Sequence, residues 1–185
     1  MKVLIVALPQ KISKNQFEPL ELAPMAIYLL ASILMKNKHE VSIIDPCEFI
    51  QYEHKGDIEE LCAQYIMKKI SSKDIQLIAF SVNSFNWSNT KVIIQRIADN
   101  FPDVKIALGG LHPSIFDKHV LESSDAHIVM RGEGEKIIVN LCNALEYNMT
   151  LEGVKGITYK LNGNVLRNED EIELTRKEIL KLKDL

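Results

Sequence analysis

Short β-branched and aliphatic runs alternate along the chain with segments whose apolar residues recur every three or four positions. The runs Val3–Leu8, Val41–Ile44, Leu77–Val82, Val104–Leu108 and Ala126–Met130 read as strands. They are nearly continuous in apolar residues, as expected of strands covered on both faces. The first is closed by Pro9. A helix is predicted from about Leu20 to Asn37, with Leu22, Met25, Ala26, Leu29, Leu30, Ile33 and Leu34 on its apolar side. Pro24 lies near its start, where a missing N–H costs least. Further helices are predicted at Ile58–Ile70, Asn89–Asn100, Phe116–Glu122 and Lys136–Tyr147.

Five such βα units predict an α/β fold: a doubly wound, flavodoxin- or Rossmann-like, five-stranded parallel sheet. Ligands of such sheets bind beyond the carboxyl ends of the strands, where the strand order reverses. After Met149 the pattern changes. Val154–Tyr159 and Val165–Leu166 around Asn162-Gly163-Asn164 predict a C-terminal β-hairpin extension. Residues 1–150 are thus read as the ligand-binding domain and 151–185 as hairpin and linker, with a charged tail from Glu169 to Leu185.

Composition changes this picture little. With 46% hydrophobic and 25% charged residues, the 185-residue chain is an ordinary globular sequence. A formal net charge of -3 provides no basic face for nucleic acid. No apolar run has the length of a membrane span, and the amino terminus is too short and strand-like for a signal peptide. Cys47, Cys62 and Cys142 are scattered, which suits reduced thiols in a cytoplasmic protein and supplies no cluster-binding spacing.

The chemistry is expected on four loops at strand carboxyl ends. Pro9–Pro19 is long for a βα loop and is a candidate ligand or lid segment. Ser81-Val82-Asn83 opens a hydroxyl- and amide-rich stretch that holds Trp87, the single tryptophan. Gly109-Gly110-Leu111-His112-Pro113-Ser114 follows the fourth strand, and Arg131-Gly132-Glu133-Gly134-Glu135 the fifth.

Each feature has a plainer reading beside the functional one. Paired glycines allow a ligand to approach the backbone, or serve a tight turn at positive φ. Ser81 can meet a ligand or cap the next element, Trp87 can line a pocket or pack beside the sheet, and His112 can touch a ligand or be structural. Glu133 and Glu135 suit the positive end of a helix, so capping is a sufficient reason for them. Capping does not account for Gly132 and Gly134, which suggest a backbone bending around something.

Several activities are excluded or demoted. There is no G-x-x-x-x-G-K-[ST] phosphate loop and no G-x-S-x-G elbow. Asp45 occupies the place of a ribose-binding acid, but without G-x-G-x-x-G this is half a dinucleotide fingerprint. The first and third strands end in Ala7-Leu8-Pro9 and Ser81-Val82-Asn83, without the carboxylates of a phosphoacceptor site. The residues favour binding over catalysis, and no catalytic or metal-ligating residue is assigned.

Taken together, several segments resemble the N-terminal cobalamin-binding domain of B12-dependent radical SAM enzymes. They are Met1–Val6, Leu29-Leu30-Ala31, His39-Glu40-Val41 through Ile44-Asp45, Phe80-Ser81-Val82, Leu108–Ser114, Val129–Glu135 and Gly156–Val165. The resemblance spans about residues 1–175. It implies a corrin across the strand carboxyl ends with its nucleotide tail against the sheet. Ser81, Val82 and Asn83 would then meet the tail, Gly109 and Gly110 would admit it, and Gly132, Glu133, Gly134 and Glu135 would line the rim. His112 is retained as a contact candidate.

One departure matters. Many related B12 domains carry D-x-H-x-x-G after the first strand, and here that loop holds no histidine, so a base-off, His-off cobalt is expected. The resemblance also implies a parent enzyme with a radical SAM domain in cis, a [4Fe–4S] cluster and S-adenosylmethionine, acting as a methyltransferase or cyclase. The chain has no C-x-x-x-C-x-x-C to hold that cluster, so it is read as a non-catalytic module of a larger protein. The alternative is a free-standing ligand- or protein-interaction domain that has lost cobalamin.

Overall fold

A computed structural model describes residues 1–13, 16–17, 24–52 and 55–171. Strands β1 (Lys2–Ala7), β4 (Glu40–Ile44), β5 (Leu77–Ser81), β6 (Lys105–Gly109) and β7 (Ile128–Met130) form the parallel part of one sheet, in the order β4-β1-β5-β6-β7. This is the predicted doubly wound sheet. Two antiparallel strands, β8 (Ile157–Leu161) and β9 (Asn164–Arg167), extend it beyond β7. Their two-residue loop, Asn162-Gly163, has φ of 50° and 79°, the left-handed pair that tightens a hairpin in register with strand twist. The first hairpin arm begins later than the predicted Val154. Thr150 caps a single 3₁₀ turn at Leu151–Gly153, and Gly156 turns the chain at φ 77°.

Side-chain alternation along the strands divides the core in two. Leu4, Val6, Ile78, Phe80, Ile106 and Leu108 face α2 (Ile58–Lys73), α3 (Trp87–Asn100) and α5 (Asp117–Glu122). Val3, Ile5, Ala7, Ala79, Ala107, Ile128 and Met130 face α1 (Met25–Lys36) and α6 (Gly134–Glu146). The connection after β1 runs outward to β4, whereas that after β5 runs to β6. The strand order therefore reverses between β1 and β5, which creates the crevice expected of this topology.

Local differences have local causes. The stretch after Gly110, read as loop, starts the short helix α4 (Leu111–Ile115) at once, and α5 follows it. In the first long loop, β2 (Lys11–Ser13) and β3 (Gln16–Phe17) form a small antiparallel ribbon. The predicted helix start at Leu20–Ala23, Pro19 and the tail from 172 onward lie outside the described residues. Among the described residues, no helix is long and apolar enough to cross a membrane.

Candidate functional site

The two faces of the sheet differ in side-chain size at their carboxyl ends. On the α2–α3 face, Leu8, Phe80, Val82 and Leu108 fill the space. At the opposite parity stand Ala7, Ala79, Ser81, Ala107 and Gly109, which leave a gap between the sheet and helices α1 and α6. The result is a cavity of about 180 Å³. Its floor is formed by Ile5, Ala79, Ile27, Leu30 and Met130. Ser81, Gly109, Gly110 and the run Gly132–Glu135 reach it from the carboxyl ends. Among the described lining residues, only Ser81, Glu133 and Glu135 carry polar side chains.

Of the glycines in the two loops, Gly110 meets the strictest requirement. Gly110 has φ 103°, and a Cβ there would lie 2.5 Å from the Val82 carbonyl oxygen. The backbone of β6 thus packs against β5 while turning into α4. Gly132 has φ 75° and faces open space. At Gly109 and Gly134 an added Cβ would come to 3.4 Å from Met130 and Leu30, on the cavity wall. Ser114 joins the two loops: its hydroxyl donates to the Gly110 carbonyl (2.8 Å) and accepts from the Gly132 amide (3.1 Å).

Of the ten predicted site residues, the structure brings seven to this cavity: Ser81, Gly109, Gly110, Gly132, Glu133, Gly134 and Glu135. Val82 is placed elsewhere by strand parity, being 2% exposed and packed on the opposite face. Asn83 builds the turn after β5. Its side chain accepts from the amides of Phe85 (2.9 Å) and Asn86 (3.0 Å). Glu133 sits at the N-cap of α6 without a side-chain capping bond, so capping does not explain it. Glu135 has one buried carboxylate oxygen, Oε2, with no hydrogen-bond partner, on the cavity wall.

His112 lies beside the cavity, not on its wall. Its ring stacks on Trp87 at 5.4 Å between centroids and tilts against Phe116 at 5.0 Å, while Nδ1 is 3.1 Å from the Ser84 hydroxyl. Burial, and secondarily the charge of His119, hold its pKa below the ordinary 6.5. A lowered histidine pKa contributes stability that is complete above 6.5 and is lost as pH falls through the folded-state value. Trp87 emission is therefore expected to fall with a midpoint below pH 6.5 as the stacked ring protonates. His112→Phe should abolish the transition; a midpoint unchanged in that variant would assign it to another group.

Asp45 is committed to its own turn. It accepts from the Tyr28 hydroxyl and from the Cys47 amide at 2.8 Å, which leaves the dinucleotide reading without its acid. Burial pushes the thiols of Cys62 and Cys142 up to about 12, so both are packing groups. Among the described residues no three His, Cys, Asp or Glu side chains gather to hold a metal ion.

Composition and loop motifs leave half of the cavity unmarked: Ile5 and Met130 read only as strand, Ala26, Leu29 and Leu30 only as helix face, and Ile27 falls outside the apolar side predicted for its helix. The signal that points to it is the small-residue parity on β5 and β6. Large residues alternate there with Ala79, Ser81, Ala107 and Gly109.

Comparison with known proteins bears on what such a cavity holds. The B12 binding domain family matches residues 19–142, more than half of the chain. An uncharacterized methyltransferase of Pyrococcus horikoshii is 27% identical over 97% of this chain and 39% of its own length. The anaerobic magnesium-protoporphyrin IX monomethyl ester cyclase of Synechocystis is 22% identical over 90% of this chain and 32% of its own. The chain thus spans between about a third and two fifths of these relatives. Among solved structures, the radical S-adenosylmethionine methyltransferase TsrM of Kitasatospora setae, with cobalamin and a [4Fe-4S] cluster bound, superposes with a TM-score of 0.74. It is 18% identical and covers 95% of this chain and 30% of that one. The cobalamin-dependent radical enzyme OxsB, with aqua-cobalamin and S-adenosylmethionine, gives 0.70 at 23% identity, over 93% of this chain and 22% of its own. Sheet topology, the cavity at the strand carboxyl ends and the matched residues make this chain a member of the B12-binding domain family.

Proposed function

We propose that the chain is the cobalamin-holding module of a B12-dependent radical SAM enzyme whose parent reaction is methyl transfer. The observation that carries this reading is the apolar cavity between β5–β6 and α1–α6, which small residues on β5 and β6 leave open beside two glycine loops. Ser81 would offer a hydroxyl to the nucleotide tail, and Gly109 and Gly110 would let it lie against the backbone. Gly132 and Gly134 would keep the rim low. Glu135, whose Oε2 is buried and unpartnered, would accept from a hydroxyl or amide N–H of the loaded molecule, and Glu133 would stand on the same rim.

When bound, cobalamin would supply a cobalt centre that carries a methyl group. This chain's residues bind and orient it, and exclude water from the tail. The [4Fe–4S] cluster and S-adenosylmethionine would be held by a radical SAM domain in cis. Residues 8–24 contain no histidine, which supports a cobalt without a histidine ligand from that loop. His112 is not among the residues that line the cavity, which supports the same state.

Anaerobic incubation with hydroxocobalamin, desalting and a visible spectrum test the reading. Retained corrin absorbance near one equivalent is expected, with an unchanged spectrum in His112→Ala. A folded chain that retains no corrin overturns it.

A further inference from the structure

We propose that residues 168–171, the segment after β9, form a strap that sets the cavity rim through Arg131, so that Asp170 is a positioning residue of a site it does not line; the linkage of the strap to loading rests on the cobalamin reading above. The turn at Gly132 and Glu133 is exposed and is held by hydrogen bonds more than by packing. A Cβ at Gly132 would meet nothing within 4 Å, and Glu133 makes no capping bond at the start of α6. Ties on either side fix the turn. The Gly132 amide donates to the Ser114 hydroxyl (3.1 Å), and the Arg131 amide donates to the Gly156 carbonyl (2.8 Å). The Arg131 side chain, 4% exposed, is the third tie.

That side chain belongs more to the strap than to the sheet. One of its hydrogen bonds reaches β8, at the Thr158 hydroxyl (2.6 Å). Three others reach the strap: two to one Asp170 carboxylate oxygen (2.7 and 3.1 Å) and one to the Asn168 carbonyl (2.7 Å). Asp117 stands farther off, at 3.9 Å, and is engaged by Arg167 at 2.6 Å. Asp170 is therefore the close counter-ion of a buried guanidinium, although its own side chain is 71% exposed. Releasing the strap would strip a buried cation of that partner and of the Asn168 carbonyl, which opposes release.

The backbone joins strap and rim a second time. Gly156, which accepts from the Arg131 amide, donates its own amide to the Glu169 carbonyl (2.7 Å). A second cleft of about 280 Å³ lies between them, with Asp170 and Glu171 on one side and Arg131, Gly132 and Glu133 on the other. Gly132 and Glu133 line the first cavity too, so they form the partition between the two spaces. A molecule seated in the first cavity bears on a turn whose far side is anchored by the strap. Ligand and strap thus bias the same segment, and by linkage each favours the other by the same factor.

Amide hydrogen exchange by NMR, on the full chain with and without one equivalent of hydroxocobalamin, tests both halves. In Asp170→Ala, which alters an exposed side chain, the Gly132 amide is expected to exchange about 10-fold faster while amides of β1 and β5 keep their rates. Asp170→Glu, which returns a carboxylate to Arg131, should restore most of that protection. Hydroxocobalamin should slow exchange of the Gly156 amide and should bind Asp170→Ala about 10-fold more weakly than the wild type. An unchanged Gly132 rate in Asp170→Ala overturns the strap, whatever the chain binds. Equal acceleration at Gly132 and in β1 and β5 reduces the effect to global stability and also overturns it. Equal affinity of wild type and Asp170→Ala for hydroxocobalamin overturns the linkage. If the folded wild type binds no hydroxocobalamin, the cobalamin reading and the linkage fall together, and the Gly132 rate still decides the strap.

Discussion

Arg131→Met is expected to lower the stability of the domain by about 3–5 kcal/mol, the usual cost of removing one partner from a buried ionic cluster. The Arg131 side chain is 4% exposed and ties together three parts of the chain. It donates to the Thr158 hydroxyl (2.6 Å) on β8, to the Asn168 carbonyl (2.7 Å), and to Asp170 through Nε (3.1 Å) and one terminal nitrogen (2.7 Å). Asp117, itself buried, accepts from Thr158 and from Arg167 (2.6 Å) and lies 3.9 Å from Arg131. With methionine in its place, the Asn168 carbonyl loses its partner and Asp117 depends on the half-exposed Arg167 for its countercharge. In a domain of this size the loss corresponds to a fall in Tm of about 10 °C. Urea and thermal melts followed by circular dichroism measure it, and a loss under about 1 kcal/mol, the scale of an exposed pair, would show that the cluster is not a unit.

The same cluster predicts an acid dependence. Burial pushes the Asp117 carboxyl up. The Thr158 and Lys118 hydrogen bonds and the Arg167 and Arg131 charges outweigh it and hold the group below the ordinary 3.8. The Arg131 hydrogen bond is the main cause holding Asp170 below the same value. Depressed carboxylates stabilise fully above their unfolded pKa, and the contribution is lost as pH falls through the folded value. Wild-type stability should therefore decline as pH falls below about 4, and less steeply in Arg131→Met.

Gly110→Ala is expected to cost about 3 kcal/mol and to abolish tight cobalamin binding. Two penalties coincide at this position. At φ 103° an L side chain is strained, at roughly 1–3 kcal/mol. The new Cβ would also meet backbone, 2.5 Å from the Val82 oxygen and 3.1 Å from its nitrogen, so no side-chain rotation relieves the clash. Relief requires β6 and β5 to part at the cavity mouth, which overpacked interiors resist at about 1–3 kcal/mol. Gly132→Ala is the control, since it shares the positive φ but faces open space and should cost less. Melts of both variants and a hydroxocobalamin titration test the pair. Equal destabilisation would assign the whole effect to φ.

Much of the fold is legible in the residues themselves. Periodicity in the apolar positions locates all five parallel strands to within one or two residues, because doubly covered strands must be apolar throughout. Asn162-Gly163 specifies its hairpin because few other residues adopt two consecutive left-handed conformations. The glycine motifs mark the loops that reach the cavity, since a missing Cβ is visible in the sequence itself. Glu133 misleads when read as a cap: its charge suits the helix end, but its side chain makes no capping bond.

The sequence by itself therefore determined the sheet, its hairpin and the two glycine loops, all products of local preference and alternation. Tertiary structure alone decided which of their neighbours share a site. Whether Ser81 or Val82 meets the cavity depends on which face of the sheet α1 and α6 cover, and no local pattern records that. Arg131 and Asp170 are 39 residues apart and meet only because β8 and β9 extend the sheet beyond β7. Ser114 and Gly132 become one hydrogen bond because two strand-end loops lie side by side. The cavity draws Ile5, Ser81, Gly109, Gly134 and helix α1 from separate stretches of the chain, and long-range packing makes them one.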